Sequence, residues 1–407
     1  MTDTATSPGF AGHDDLRSLL DEILPPGWID AAGSDDEDRL VEIKDAADNP
    51  MIVRRLGEAG WTAPHFPADA GGRGFDRETA QAVYRLLDGW EVPRTPRGSG
   101  MPLAAPTILE HSGAETKRRL LPPLATGEER WCQLFSEPGA GSDMASLATT
   151  AVRDGDEWVI NGQKVWTTFG HESEMAMLIA RTDPDAPKHK GITYFGLDMR
   201  QPGVEVRSLI NMAGQVEFNE VFLTDARVPD VNRISPVGEG WAAAMTTLGA
   251  ERHALSGLKK KRRASDEILG GKPLAEVIAE AAAGGASLDP LARDRLAAAH
   301  TAGMTLSWNT RRFRGPEGSI TKVAKAGSNQ RLQELAMGLR GADAVAWSDD
   351  DDPGAADWIE QFLRTRANSI EGGTSEIQRN IVGERVLGLP REPDPYRGAP
   401  WRDVPRS

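Results

Sequence analysis

The hydrophobic period of this chain changes twice, and that order limits the folds open to it. Over residues 14–130 apolar side chains recur at helical spacing between loops. Over 131–237 they fall into short alternating runs separated by tight-turn residues. From 240 onward helical spacing returns. The chain has 407 residues, and at about 150 residues per domain that is room for two to three domains. The periods predict a helical N-terminal domain over 13–130, a strand-rich middle domain over 131–237 and a helical C-terminal domain over 238–392, with tails at 1–12 and 393–407.

Breaker clusters at 59–67 and at Gly71-Gly72-Arg73-Gly74 predict loops in the first block, as does the stretch 93–100, rich in Pro, Arg and Gly. Helices are expected over 102–111 and 114–121. In the middle block, strands are expected over 148–152, around Trp158 and Ile160, and over 163–168, 175–180, 192–197, 204–209 and 216–223. Asp154-Gly155-Asp156 reads as a turn, and Asn161-Gly162 as the two-residue turn of a hairpin. Short strands so closely spaced predict a closed or sandwiched antiparallel sheet. In the last block Leu332, Leu335, Ala336 and Leu339 share a helix face, as do Trp358, Ile359, Phe362 and Leu363. Long helical segments in series predict an antiparallel bundle. Residues 264–289 and 349–356, small or acidic, predict loops or weak helices.

A net charge of -14 argues against nucleic acid or an anionic membrane surface as the main partner. The single cysteine, Cys132, excludes a disulfide framework and a cysteine metal cluster within the chain, and no metal site is expected. No run approaches the ~18 apolar residues of a membrane span. The start of the chain has neither a basic n-region nor an apolar core, so it reads as a short disordered lead, and a cytoplasmic protein is expected.

The string from Trp131 to Asp143 carries Gly139, Gly141 and Pro138 beside the hydroxyls of Ser136 and Ser142. Glycines let backbone approach a ligand closely, and hydroxyls beside free N–H groups suit a phosphate or a heterocycle edge. A glycine-rich surface loop with no ligand fits the same residues. Lys164-Val165-Trp166-Thr167-Thr168 follows. Its indole and two hydroxyls suit a flat cofactor, though a buried strand tryptophan is the plainer alternative.

These residues carry a resemblance. SEPGAGSD (136–143), NGQKVWTT (161–168) and IEGGTSEIQRNIVGERVLGLPRE (370–392) strongly resemble acyl-CoA dehydrogenases. WTAPHFPADAGGRG (61–74) and the run from GEGW (238–241) to LGAER (248–252) stand where that family has counterparts. The resemblance spans roughly residues 13–392. It implies an α+β multidomain fold: an N-terminal α-helical domain, a middle antiparallel β-barrel and a C-terminal four-helix bundle. It implies FAD held between barrel and bundle, an acyl-CoA substrate oxidised as in lipid β-oxidation, and an electron-transfer flavoprotein as acceptor. The assembly it implies is a homodimer, a homotetramer or a tetramer of unlike subunits.

By the same resemblance Phe135, Ser136, Gly141 and Ser142 contact the flavin and its phosphates, with Ser142 also near the CoA side. Trp166 packs on the isoalloxazine and Thr168 bonds its N5 edge. Gly373, Thr374 and Glu376 meet FAD beyond the ring. The Gly372 N–H is one of two donors to the thioester carbonyl, a contact that stabilises enolate character. Many relatives place the catalytic glutamate two residues before the threonine of this turn, where this chain has Gly372. Isovaleryl-type and long-chain-type relatives instead use a glutamate directly before an arginine on the first bundle helix. Glu251-Arg252 stands there, so Glu251 is assigned as the base and Arg252 as its support or as a substrate-loop partner; a solvated ion pair is the plain reading of such a dipeptide. The family's bundle arginine for the FAD pyrophosphate is missing around residues 267–271, and Gly338 to Gly341 replace its Gln-Gly-Gly turn. The basic run 259–263 suits phosphate or an exposed helix face. A related flavin oxidase or monooxygenase, and a partner subunit of an unlike-subunit complex, are the alternatives. A proton-abstracting Glu251 favours the dehydrogenase.

Overall fold

A computed structural model of the chain describes residues 10–34, 37–255, 270–283, 289–312, 315–345 and 353–405. The basic run 259–263 and most of the 267–271 segment lie outside these described residues.

The first domain is helical: α1 (His13–Ile23), α2 (Trp28–Ala32), α3 (Glu37–Asp45), α4 (Asn49–Glu58), α5 (Arg77–Gly89), α6 (Ala105–His111) and α7 (Ala114–Thr126). Asp48 caps α4 by accepting from the Met51 N–H at 3.0 Å, and Asp76 caps α5 through Thr79 N–H at 2.8 Å. Leu16, Leu20 and Ile23 of α1 pack with Ile52, Leu56, Val83 and Leu87 around Trp28 and Trp61. Helix α7 outruns its expected end at 121. Pro122 and Pro123 lie inside it, yet Leu124 and Ala125 beyond them are buried. Proline removes ladder N–H groups; burial of the last turn against α4 carries the helix through. A Cβ on Gly57 of α4 would stand 2.5 Å from the Ala125 carbonyl oxygen, so the two helices touch through glycine.

The middle domain is one seven-stranded sheet ordered β1-β4-β2-β3-β7-β6, with β5 also on β4. The strands are β1 (Trp131–Leu134), β2 (Thr150–Asp154), β3 (Glu157–Thr168), β4 (Met175–Arg181), β5 (Ile192–Asp198), β6 (Val204–Leu209) and β7 (Phe218–Pro229). Most pairing is antiparallel, as expected, but β1 runs parallel to β4 and meets it inside the glycine-rich string. Asn161-Gly162 is not a hairpin turn. Strand β3 continues through it as an irregularity opposite β7. The Asn161 side chain exchanges two 3.0 Å hydrogen bonds with Asp225, and a Cβ on Gly162 would collide with Thr149. Tertiary contacts have overridden the local turn signal.

The C-terminal domain opens with α8 (Gly240–Leu255), followed by α9 (Leu274–Ala283), α10 (Pro290–Thr310), α11 (Gly318–Arg340), α12 (Pro353–Arg364) and α13 (Ser375–Ile381). Val277, Ala281, Leu296 and Ala336 form the core of α9–α11, with Leu332, Leu335, Leu339 and Trp358 packed on it. Helix α8 packs elsewhere, on α6 and β5. Its Thr247 hydroxyl bonds Thr107 of α6 at 2.8 Å and the Tyr194 hydroxyl of β5 at 2.9 Å. Among the described residues no helix is long and apolar enough to cross a membrane.

Candidate active site

The loop after β1 is closed by reciprocal main-chain bonds: Glu137 N–H to Ala140 O at 3.1 Å and Ala140 N–H to Glu137 O at 3.0 Å. The Glu137 side chain turns inward. Its carboxylate accepts from Ala148 N–H (2.6 Å), Thr149 N–H (3.0 Å) and Lys164 Nζ (2.9 Å). The Lys164 ammonium, fully buried, also donates to the Phe135 carbonyl at 3.1 Å, while Val165 N–H donates to Ser136 O at 3.0 Å. Burial pushes the Glu137 carboxyl up, but the Lys164 charge and these donors outweigh it and hold the group below its ordinary value. Burial draws the Lys164 amine down, against the pull of Glu137. This buried pair fastens the loop to β3. On the outer side Gly141 and Ser142 are exposed, and a Cβ on Gly139 or Gly141 would meet open space.

Two residues after Lys164, β3 carries an extra residue. Its pairing with β7 passes from Lys164–Val221 to Thr167–Asn219, three steps against two. The bulge puts Trp166 at φ +61 with 62% of its surface exposed. A bulky residue in that region stores about 1–3 kcal/mol of strain and persists only where its surroundings impose it. Buried Lys164 and Thr167 on either side impose it here. The indole meets the Phe218 ring edge-on at 5.8 Å. Thr168 is half-buried and pairs with Phe218 across the sheet.

The Gly372–Gly373 turn has both residues left-handed, at φ +61 and +88. Gln378 Nε2 donates to the Gly372 carbonyl at 2.9 Å, and Lys322 Nζ of α11 to the Gly373 carbonyl at 2.7 Å. In a trans peptide the N–H points opposite the C=O. The N–H groups of Gly373 and Thr374 therefore face away from these two side chains. Thr374 caps α13 through Ile377 N–H at 3.3 Å, and exposed Glu376 pairs with Arg379 at 3.2 Å.

Bundle and sheet meet at Arg364. Its guanidinium binds Glu217 with two bonds of 2.9 and 3.0 Å and Glu371 with bonds of 3.0 and 3.4 Å. It also lies 5.7 Å from the Phe218 ring centre. Trp166, Phe218, Arg364 and Glu371 thus form a continuous contact path from the exposed indole to the residue before Gly372. Asn368 Nδ2 gives Glu371 a further bond at 2.9 Å.

Glu251 is half-buried on α8. It lies four residues past Thr247, hence on the same helix face and about 6 Å along the axis. Thr247 bonds Tyr194, whose ring stands edge-on to Phe135 at 5.7 Å. The structure therefore brings Phe135, Ser136 and Trp166 together through Lys164, and joins Trp166 to the 372–374 turn through Arg364. Glu251 is placed one turn beyond the Tyr194–Phe135 contact. Arg252 follows in α8, and its side chain lies outside the described residues. Sequence reasoning missed Glu137, Lys164, Glu217, Arg364, Lys322 and Gln378. The only local signal for the first two is a charge inside each motif that brings glycines or an indole.

The residues present fit a dinucleotide flavin. An indole forced out at an energetic cost offers a flat apolar face, and the open side of the Gly139–Gly141 loop leaves backbone accessible to an anionic group.

Comparison with known proteins agrees. Models described as acyl-CoA dehydrogenase N-terminal, middle and C-terminal domains match residues 34–128, 132–226 and 238–387. Over 346 residues, 83% of this chain and 87% of the relative, the chain is 38% identical to acyl-CoA dehydrogenase IpdE1 of Mycobacterium tuberculosis. A solved structure titled Tcur3481-Tcur3483 steroid ACAD matches with a TM-score of 0.68 and 26% identity, covering 93% of this chain and 97% of that one. The ChsE4-ChsE5 complex from Mycobacterium tuberculosis matches with a TM-score of 0.64 and 25% identity, covering 93% and 97%.

Proposed function

The chain belongs to the acyl-CoA dehydrogenase family of FAD-dependent oxidoreductases, and on that premise we propose that it converts a bulky acyl-CoA thioester to the 2-enoyl-CoA with Glu251 as base. Phe135, Ser136, Gly141, Ser142, Trp166, Thr168, Gly373, Thr374 and Glu376 hold FAD. FAD, when bound, supplies the acceptor for the β-hydride, and the electrons go on to an electron-transfer flavoprotein. The Gly372 N–H donates to the thioester carbonyl, with Ser142 and Arg252 on the substrate side. As the Glu251 carboxylate takes the α-proton, negative charge grows on that carbonyl, and a fixed donor is most valuable at that moment.

The observation that carries the assignment is where two carboxylates stand in the fold. Glu371, beside the turn, stands at the Arg364–Glu217 ion pair. Glu251 sits on the α8 face that reaches Tyr194 and Phe135 through Thr247. A base on the first bundle helix leaves the turn position to glycine and suits wide acyl groups. The similarity to a protein titled steroid ACAD supports a polycyclic or branched acyl chain. Two of the similar structures bear paired names, which supports an assembly of unlike subunits over a homodimer or homotetramer.

Anaerobic mixing of the yellow protein with a panel of acyl-CoAs tests this reading. Bulky, ring-bearing thioesters bleach the flavin fastest. A protein that binds no flavin even with excess FAD and a co-expressed partner, or one bleached by none of the panel, overturns it.

A further inference from the structure

The C-terminal segment does not trail away from the molecule. Residues 387–398 are exposed throughout, then Trp401 is buried. It lies on the long loop between β4 and β5. Trp401 N–H donates to Ala186 O at 2.9 Å and Arg402 N–H to Pro184 O at 3.1 Å. The Arg402 side chain pairs with Asp185 at 2.8 Å, and Pro400 bridges Pro187. The matched C-terminal family domain ends at residue 387, so this strap lies beyond it.

What Trp401 touches gives the strap a role. Its Nε1 donates to the Ser146 carbonyl at 3.3 Å. Its ring lies 4.5 Å beneath the guanidinium of Arg181, a buried arginine at the end of β4. That guanidinium donates to the carbonyls of Ala145 (2.6 Å), Leu147 (3.3 Å) and Lys188 (2.9 Å). Trp401 and Arg181 together therefore hold three successive carbonyls, 145 to 147. Two residues before Ala145, Asp143 accepts from Ser146 Oγ at 2.6 Å and from Lys188 Nζ at 2.9 and 3.0 Å. Exposed Ser142 comes next. The same β4–β5 loop reaches α8, where the His189 ring stands edge-on to Trp241 at 4.8 Å.

We propose that Trp401, acting through Arg181 and the 145–147 turn, is a positioning residue that sets Ser142 and Asp143 for the CoA portion of the substrate. The inference rests on the acyl-CoA reading of the site. Burial of one indole under a cation is worth more than its area alone. That indole touches Arg181 and the Ser146 carbonyl behind the loop, so its removal is expected to loosen substrate binding and leave proton abstraction largely intact.

The FAD-loaded full chain with Trp401→Ala tests it. The expected result is a KM for the best acyl-CoA raised about tenfold, kcat within about twofold and unchanged FAD content. Trp401→Phe keeps a ring under Arg181 and restores most of the KM. Calorimetry with free coenzyme A, which needs no turnover, shows a matching loss of affinity. If the unmodified protein binds no coenzyme A, the acyl-CoA reading itself fails. If it binds and Trp401→Ala binds equally well, or if kcat and FAD content fall while KM rises, the positioning role is overturned. Should Trp401→Ala not fold, Arg402→Ala, which loosens the strap from its outer side, decides: KM rises about threefold if the strap positions the loop and is unchanged if it does not.

Discussion

Glu371 holds its Oε2 3.0 Å from an Arg364 guanidinium nitrogen, and the same guanidinium is shared with Glu217, the residue before β7. The carboxylate beside the turn thus supports the guanidinium that joins the bundle to the sheet domain through Glu217. Removing its charge leaves Arg364 with Glu217 alone. Glu371→Gln is expected to cost about 1–3 kcal/mol of stability, the scale of a hydrogen bond to a charged group, while kcat stays within about threefold. Thermal unfolding and steady-state turnover measured on one preparation check this. A loss of turnover near a hundredfold with FAD still bound would transfer the base to Glu371.

Trp166 separates stability from cofactor binding. At φ +61 its backbone favours glycine, and its ring is mostly exposed. Trp166→Gly is expected to leave the unfolding midpoint unchanged or higher, yet to weaken FAD binding by at least about tenfold. Flavin titration of apoprotein alongside a melting curve measures both. A variant that melts lower and keeps its FAD affinity makes the indole a packing residue.

The Glu137–Lys164 pair gives the loop a pH dependence of definite sign. Burial acts to raise the Glu137 carboxyl, but its partners bring it below the ordinary value. A depressed folded-state value contributes stability that is complete above the unfolded value, about 4.3, and is lost as pH falls through the lower folded value. Flavin release and loss of near-ultraviolet dichroism are therefore expected on acidification below about pH 4, and Glu137→Gln is expected to flatten that acid limb. An acid limb of equal steepness in Glu137→Gln assigns it to other carboxyls.

Gly372 and Glu251 are read as two backbone origins for a carboxylate aimed at one α-proton. Adding Gly372→Glu to Glu251→Gln is expected to restore part of the lost flavin reduction. Recovery is partial because φ +61 at residue 372 resists a side chain, at about 1 kcal/mol or more, and because catalysis is sensitive to displacements of ~1 Å. Gly372→Ala separates the strain from the chemistry. A folded, FAD-loaded double variant no faster than Glu251→Gln alone, with Gly372→Ala still active, counts against the two-origin reading.

Much of this architecture is legible in the residue order. The changes of period separate the helical and sheet regions, and β6 spans 204–209 as alternation predicts. The glycines at 139, 141, 372 and 373 mark both loops of the site because backbone exposure and left-handed turns leave a local signature. What stayed hidden is held by distant partners. Asn161-Gly162 continues a strand because Asp225 binds the asparagine across the sheet. Lys164 is buried because Glu137, 27 positions earlier, turns inward to meet it. Arg364 joins the domains through Glu217, 147 positions away. Trp401 stands in a segment read as a tail, and its contacts with Arg181, Ser146 and Ala186 show that the segment docks. None of these pairings has a periodicity to read.

The assignment of Glu251 is tested most directly by rapid mixing of the FAD-loaded protein with its best acyl-CoA under anaerobic conditions. Removing a general base typically costs 10²–10⁴-fold. Glu251→Gln is expected to keep its flavin and its affinity for substrate while the rate of flavin bleaching falls at least about a hundredfold. Bleaching at close to the unmodified rate in a folded, FAD-loaded Glu251→Gln protein contradicts the account.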